Sequence, residues 1–270
     1  MLLQTEERAK CSYGFRLNKS KKEVLKMRKQ DELKKLMEEA YPYRTELHAH
    51  TKPVSTCSDV PPEDAVKLYK ERGYTSLVIA NHFTYDYFYK RVGTRDTKTA
   101  VEFYLDGYRR AKAEGEKSGL NVILAAELRF SQGTGNDYLL FGIDEGDLCE
   151  IFEMLPGTVE EFYKNYCDET KLLFQAHPMR NGQVVMPPET VDGYESFNLH
   201  PNHNSRPALA ARYAKSVNKP FIAGTDFHEY GHEGLSAIRT TSPLLSSHDV
   251  VKAIKENDFI MDTDGILIIP

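Results

Sequence analysis

The chain lacks tryptophan, has only four cysteines among its 270 residues, and contains no long uninterrupted apolar run. A membrane-spanning helix needs roughly 18–20 consecutive apolar residues, so no membrane partner is expected. The opening Met-Leu-Leu-Gln-Thr-Glu-Glu has no apolar core of the kind a secretion signal requires, and the expected location is the cytoplasm. Cys11, Cys57, Cys149 and Cys167 are widely spaced and form no CxxC pair. That spacing excludes a disulfide framework and a thiolate zinc cage, so any metal must be held mainly by other side chains. Net positive charge is also missing: the total is -5. The first forty residues carry 11 Lys/Arg against 7 Asp/Glu, leaving 24 against 33 in the remainder, a net of -9. A body of that sign is poorly suited to track a long nucleic acid.

The length fits one α/β barrel, a fold that commonly takes about 250 residues. Residues 21–40 place Val24, Leu25, Met27, Leu33, Leu36 and Met37 among charges at near-helical spacing, and Tyr41-Pro42 ends the run. Residues 1–42 are therefore read as a helical extension and residues 43–270 as the principal domain. The basic face of that helix suits either a partner or, more simply, solvent. Strands are expected over 45–50, 75–80, 122–126, 138–143, 172–176, 193–197, 221–224 and 266–269. Helices are expected over 62–72, 99–118, 159–170, 207–217 and 249–255. Strands alternating with helices imply a mainly parallel sheet, open or closed. The segment 83–95 is aromatic and basic together, which suits a lid over a site or a surface loop.

The polar residues are informative because of where they sit. Glu46-Leu-His48-Ala-His50 sets two histidines at alternate strand positions, hence on one face. His82 follows LVIAN, Glu127 follows VILAA, His177 follows LLFQA, and Asp226-Phe-His228 follows FIAGT. Each lies at the carboxyl end of an apolar run, and in a parallel α/β fold those ends share one rim. A single strand-end histidine is usually structural. Five of them with two carboxylates on one rim would clash with burial and with each other unless cations held them, which points to a multinuclear metal site.

These motifs, ELHAHT, ANHF, AEL, QAHP and GTDFH in that order, closely resemble the polymerase-and-histidinol-phosphatase (PHP) superfamily of metal-dependent phosphoesterases, over about residues 44–240. The resemblance implies a distorted (β/α)7 TIM-like barrel holding two or three divalent transition-metal ions (Zn, Mn or Fe). By motif, His48 and His50 with Glu127 and Asp226 would hold one ion. Glu127 would bridge to a second ion that His177 also binds, and His82 and His228 would belong to a third. The chain departs from the family where Ala80-Asn81-His82 replaces the usual Thr-Asp-His. It also departs at the third-site acid, where Cys57 and Asp59 compete for the position. Asp137 stands where a histidine often occurs; it suits a metal or a cap on the preceding Gly-Thr-Gly turn.

Arg180 follows His177-Pro-Met, and Arg206 precedes the helix start marked by Pro207. Guanidinium groups beside a metal cluster suit a phosphate, and salt-bridging on the surface is the alternative for each. His200 and His203 are candidate proton donors to a leaving group, and His203 is the candidate catalytic residue beside Arg180 and Arg206. His232 and His248 read as surface residues. The expected partner is a small phosphorylated substrate, with the oligomeric state left open. The rival readings are an amidohydrolase-like metal hydrolase, which also begins with HxH and ends with a metal-binding Asp, and a non-catalytic metal module.

Overall fold

Tyr41-Pro42 separates a polar helical segment from the first buried strand. The chain divides nearby, after Glu39. The computed structural model describes residues 30–93 and 96–270. In the first unit the described residues belong to α1, Gln30–Ala40, where Lys34–Glu38 and Lys35–Glu39 pair one turn apart. The helix expected over 21–40 is seen in its second half, and residues 21–29 lie outside the described residues.

The body is built on two six-stranded sheets. In the first, β1 (Tyr43–Ala49), β2 (Ser76–Ile79) and β4 (Asn121–Leu124) run parallel. β10 (Ser236–Thr240), β11 (Phe259–Thr263) and β12 (Ile266–Ile268) extend that sheet antiparallel from β1. The second sheet contains β3 (His82–Thr84), β5 (Ala126–Arg129), β6 (Tyr138–Phe141), β7 (Leu172–Gln175), β8 (Gly193–Asn198) and β9 (Phe221–Gly224), in that order.

The α/β class is as expected, but the pairing is mixed rather than mainly parallel, because β6 is antiparallel to both β5 and β7. Residues 130–137 are too few for the dozen or so that a parallel crossover needs, so β5 and β6 must form a hairpin. Among the described residues the ladders do not close into a single (β/α)7 sheet. They break between β2 and β3 and between β4 and β5. There the buried Tyr104 hydroxyl donates to Ala125 O at 2.6 Å, with Asn81 O at 3.2 Å. A parallel bridge from Ala49 to Phe227 joins the sheets elsewhere, with His50 N donating to Phe227 O (2.9 Å) and Phe227 N to His48 O (3.0 Å).

The helices obey local rules. α2 (Pro62–Glu71) opens on proline. α3 is Tyr85–Val92, and α4 (Thr97–Ser118) is capped by Asp96, whose carboxylate accepts from Thr99 N. α5 is Leu148–Met154. α6 (Val159–Tyr166) and α8 (Ser247–Lys255) begin with capping boxes, and α7 is Pro207–Ser216. The helix expected to reach residue 170 stops at Tyr166, because Cys167 is extended and Asp168 Oδ1 accepts from Thr170 N in a local turn. The aromatic segment is not a lid. Phe83 and Phe88 are fully buried, with the Phe83 ring 4.5 Å from that of Tyr104 and 5.2 Å from that of Phe152. Among the described residues no helix is long and apolar enough to cross a membrane.

One close approach sets the spacing of β1, β8 and β9. A Cβ placed on Gly224 would lie 2.3 Å from Glu195 Oε1 and 2.8 Å from His48 Cβ, so only glycine lets those side chains meet there. Gly224→Ala is expected to lower stability by about 1–3 kcal/mol, the usual cost of overpacking. Thermal unfolding with an unchanged Tm would refute this.

Candidate metal centre

Alternation along β1 puts Glu46, His48 and His50 on one face, and all three are fully buried. His82 opens β3, Glu127 lies in β5, His177 follows β7, and Asp226 and His228 follow β9. Because β6 runs antiparallel, its start rather than its end meets this rim. Tyr138 pairs with Gln175 there, and the preceding Asp137 is brought to the cluster. His177 (φ 32°) and Asp226 (φ 56°) sit in the left-handed region, a backbone cost that concentrates at functional sites.

At the centre is Glu127, fully buried. Its Oε1 lies 3.3 Å from both His48 Nε2 and His177 Nε2. Its Oε2 lies 2.6 Å from His82 Nδ1 and 3.4 Å from His50 Nε2. Neither oxygen receives a hydrogen bond of acceptable geometry. Asp226 Oδ1 stands 3.3 Å from His50 Nε2 and 3.5 Å from His48 Nε2, and those two imidazole nitrogens are only 2.9 Å apart. Donor atoms within 4.8 Å of one another form three overlapping groups: His48, His50 and Asp226; His50, His82 and His228; and His82, Glu127 and Asp137.

The outer contacts explain why the inner nitrogens converge. His48 Nδ1 is 2.8 Å from Glu195 Oε1, whose other oxygen accepts from His177 N and Asn198 Nδ2. His50 Nδ1 is 3.0 Å from Ser55 Oγ, which in turn donates to Asn81 Oδ1. His228 Nδ1 is 2.7 Å from Asp226 O. Each acceptor holds a proton on Nδ1 and leaves Nε2 directed inward, the arrangement that orients metal-binding imidazoles. Glu46 supports the same strand from behind, accepting from His48 N, Thr225 N, Thr225 Oγ1 and the Tyr69 hydroxyl.

The charge state follows from this packing. Burial would raise the Glu127 carboxyl, but the neighbouring His82 and His48 charges hold it well below the ordinary range, so it is ionised. Burial, then His228 and His82, push His50 well down. Burial would lower His48, but Glu195, Asp226 and Glu127 outweigh it and raise it. A carboxylate buried without hydrogen bonds among closely spaced imidazole nitrogens is costly on its own. Divalent cations resolve both problems, so the donor set fits bound metal.

The candidates for the third site separate. Both Cys57 and Asp59 are exposed and neither belongs to the donor groups, but Cys57 Sγ lies 3.1 Å from His228 Nε2. Burial would raise the Cys57 thiol, but hydrogen bonds from His228 and His82 bring it down to about 6. Asp137 does not cap its turn. Both of its oxygens accept from Arg129, at 2.7 and 2.8 Å.

A cavity of about 280 Å³ opens over the cluster, lined by Cys57, Arg129, Arg180, His203 and Glu229 beside the metal-binding candidates. Arg180 has no acidic partner among the described residues. Arg206 is not brought into the cavity, contrary to expectation: its guanidinium donates to Met179 O (2.6 Å) and Asn181 Oδ1 (2.5 Å). His203 stacks on His200 at 3.9 Å, and its Nδ1 is 3.7 Å from Asp226 Oδ2. His200 Nδ1 accepts from Asn202 N, and burial lowers His200 to about 4. His232, read as a surface residue, is half-buried with its ring 5.5 Å from that of His200; His248 is exposed. Sequence reasoning missed Glu195 and Arg129. A lone carboxylate within the buried run Gly-Tyr-Glu-Ser-Phe-Asn was the available signal for Glu195.

No protein-family model matches the sequence, and no curated protein is detectably similar. Among solved structures, the chain is similar to a two-domain protein from Bacteroides vulgatus containing a predicted PHP-like metal-dependent phosphoesterase, with 15% identity and a TM-score of 0.54. The match covers 83% of this chain and 66% of that protein, just under two thirds of its length. A protein from Bifidobacterium adolescentis proposed to be a metal-dependent phosphoesterase matches at 14% identity, covering 68% of this chain and 87% of the other, with a TM-score of 0.44. An amidohydrolase from Chromobacterium violaceum matches at 13% identity, covering 70% and 89%, also with a TM-score of 0.44. At these identities the likeness is one of fold, and the fold is that of the protein containing the PHP-like phosphoesterase.

Proposed function

We propose that the protein is a metal-dependent phosphoesterase that hydrolyses a small phosphorylated substrate. His48, His50, His82, Glu127, His177, Asp226 and His228 would hold two or three divalent transition-metal ions, with Cys57 rather than Asp59 beside the outermost pair. The observation that carries this reading is the buried Glu127 carboxylate, which faces four imidazoles without one hydrogen bond. Bound ions supply Lewis acidity towards a phosphoryl oxygen and lower the pKa of water from about 15.7 towards 7. The two sheets, bridged at Ala49 and Phe227, are read as an opened form of the expected barrel.

The chain's own residues then divide the remaining work. Arg180, on the cavity wall without an acidic partner, binds the phosphate and meets the charge that develops on its oxygens. Arg129, its charge offset by Asp137, forms a fixed flat part of the cavity wall. His203 holds the proton for the leaving-group oxygen. His200 is the poorer donor because its Nδ1 already accepts a backbone N–H. The size of the cavity, about 280 Å³, favours a small ester over a polymer.

Metal-replete protein is expected to carry at least two transition-metal ions per chain by elemental analysis, and Glu127→Ala to lose most of that content; one ion or none in the wild type would refute the assignment. Arg180→Ala is expected to cost roughly 1.5–3 kcal/mol in kcat/KM on a phosphomonoester, the range for a charged hydrogen bond. Arg206→Ala should cost less, and the reverse order would overturn the placement of the phosphate.

A further inference from the structure

A second cavity of about 230 Å³ lies against the first and is lined by Ser55, Cys57, His82, Thr84, Tyr87 and Arg129, with Thr56 at its edge. Cys57, His82 and Arg129 line both cavities, so the second is continuous with the wall of the metal site. The chemistry of the two differs. The first contains Asp137, Asp226 and Glu229; the second has no carboxylate in its lining and presents an aromatic ring and a guanidinium.

Tyr87 is the residue of the aromatic segment that turns this way. Phe83 and Phe88 are spent in the core, whereas Tyr87 is half-buried. Its ring is held at both ends: the hydroxyl reaches Val54 O at 3.4 Å, and the ring meets Phe88 edge-on at 5.7 Å. The Arg129 plane is likewise fixed, by its paired bonds to Asp137. Fixed planar surfaces in a lining that holds no carboxylate favour a flat ring over a flexible polyol or a cation.

We propose that this second cavity is the subsite for a planar aromatic or heteroaromatic ring on the leaving-group side of the phosphoester, packed against Tyr87 while the phosphate occupies the metal cavity. The proposal rests on the phosphoesterase reading and specifies its substrate class, an aryl phosphate or a mononucleotide. Tyr87 acts in specificity and takes no part in bond cleavage.

The test compares two non-hydrolysable probes that share one head group, phenylphosphonate and methylphosphonate, titrated calorimetrically into metal-loaded full-length protein. Phenylphosphonate is expected to bind about tenfold or more tightly, as one aromatic stacking contact allows. Tyr87→Ala should abolish that difference while leaving methylphosphonate binding and metal content unchanged, and Tyr87→Phe should retain it. Should Tyr87→Ala fail to fold, Thr56→Trp, which fills the subsite from an exposed position, should abolish the preference instead. Equal binding of both probes to the wild type, or a preference that survives these changes, overturns the subsite alone. Binding of neither probe overturns the phosphate site, and the subsite with it.

Discussion

One buried carboxylate organises this protein. Glu127 lies in β5, in the interior of the second sheet, and ionised carboxylates are not left in such places without compensation. The imidazoles around it approach closely, yet neither of its oxygens receives a well-formed hydrogen bond, and on His48 and His50 the Nδ1 atoms are engaged by Glu195 and Ser55 on the far side. The resulting arrangement is poor as a hydrogen-bond network and good as a set of Lewis bases. That contrast, more than the number of histidines, distinguishes a metal centre from a buried polar core.

The fixed protons come from an outer layer of acceptors that must itself be held in place. Glu195 can reach His48 only because Gly224 leaves room. Ser55 can serve His50 only because Asn81 takes the serine proton. Asn81 also accepts Thr51 N and donates to Thr51 Oγ1, tying the loop after β1 to the end of β2. Asn81 is thus hydrogen-bonded on both sides at the point where the sequence departs from the Thr-Asp-His of the family it resembles. An amide supplies both an acceptor for the serine and a donor for the threonine, which an ionised carboxylate cannot do.

The residues of the inner cluster were legible in the sequence because apolar runs ending in His, Glu or Asp are conspicuous against the rest of the chain. The outer layer was not, since Glu195 and Ser55 occur in ordinary polar contexts, and their meaning depends on which strands become neighbours. The mixed sheet was hidden for a related reason. The run at 138–143 has the composition of a buried parallel strand, and only the shortness of residues 130–137 betrays a hairpin. The aromatic segment misled through composition: seven residues rich in Tyr and Phe read as surface or lid, but helical spacing in α3 sends Phe88 inward with Phe83 and leaves Tyr87 to the side. The antiparallel pair β10 and β11 alternates polar and apolar residues too irregularly to be read from pattern alone.

The reversed strand also has a chemical consequence. If β6 ran parallel, its carboxyl end would meet the rim and Asp137 would lie at the opposite edge of the sheet. Running antiparallel, it brings Asp137 beside Arg129, the last residue of β5, and the two form a bidentate pair at the cavity wall. That pair cuts two ways. Both Asp137 oxygens are already engaged, which makes Asp137 a weaker claimant for a metal than its position in the donor groups suggests. The Arg129 charge is correspondingly offset, because the strongest bonds of its guanidinium are already made. The positive potential that remains uncommitted on this wall belongs to Arg180, and the role of Arg129 shifts from binding charge to presenting a fixed flat surface between the two cavities.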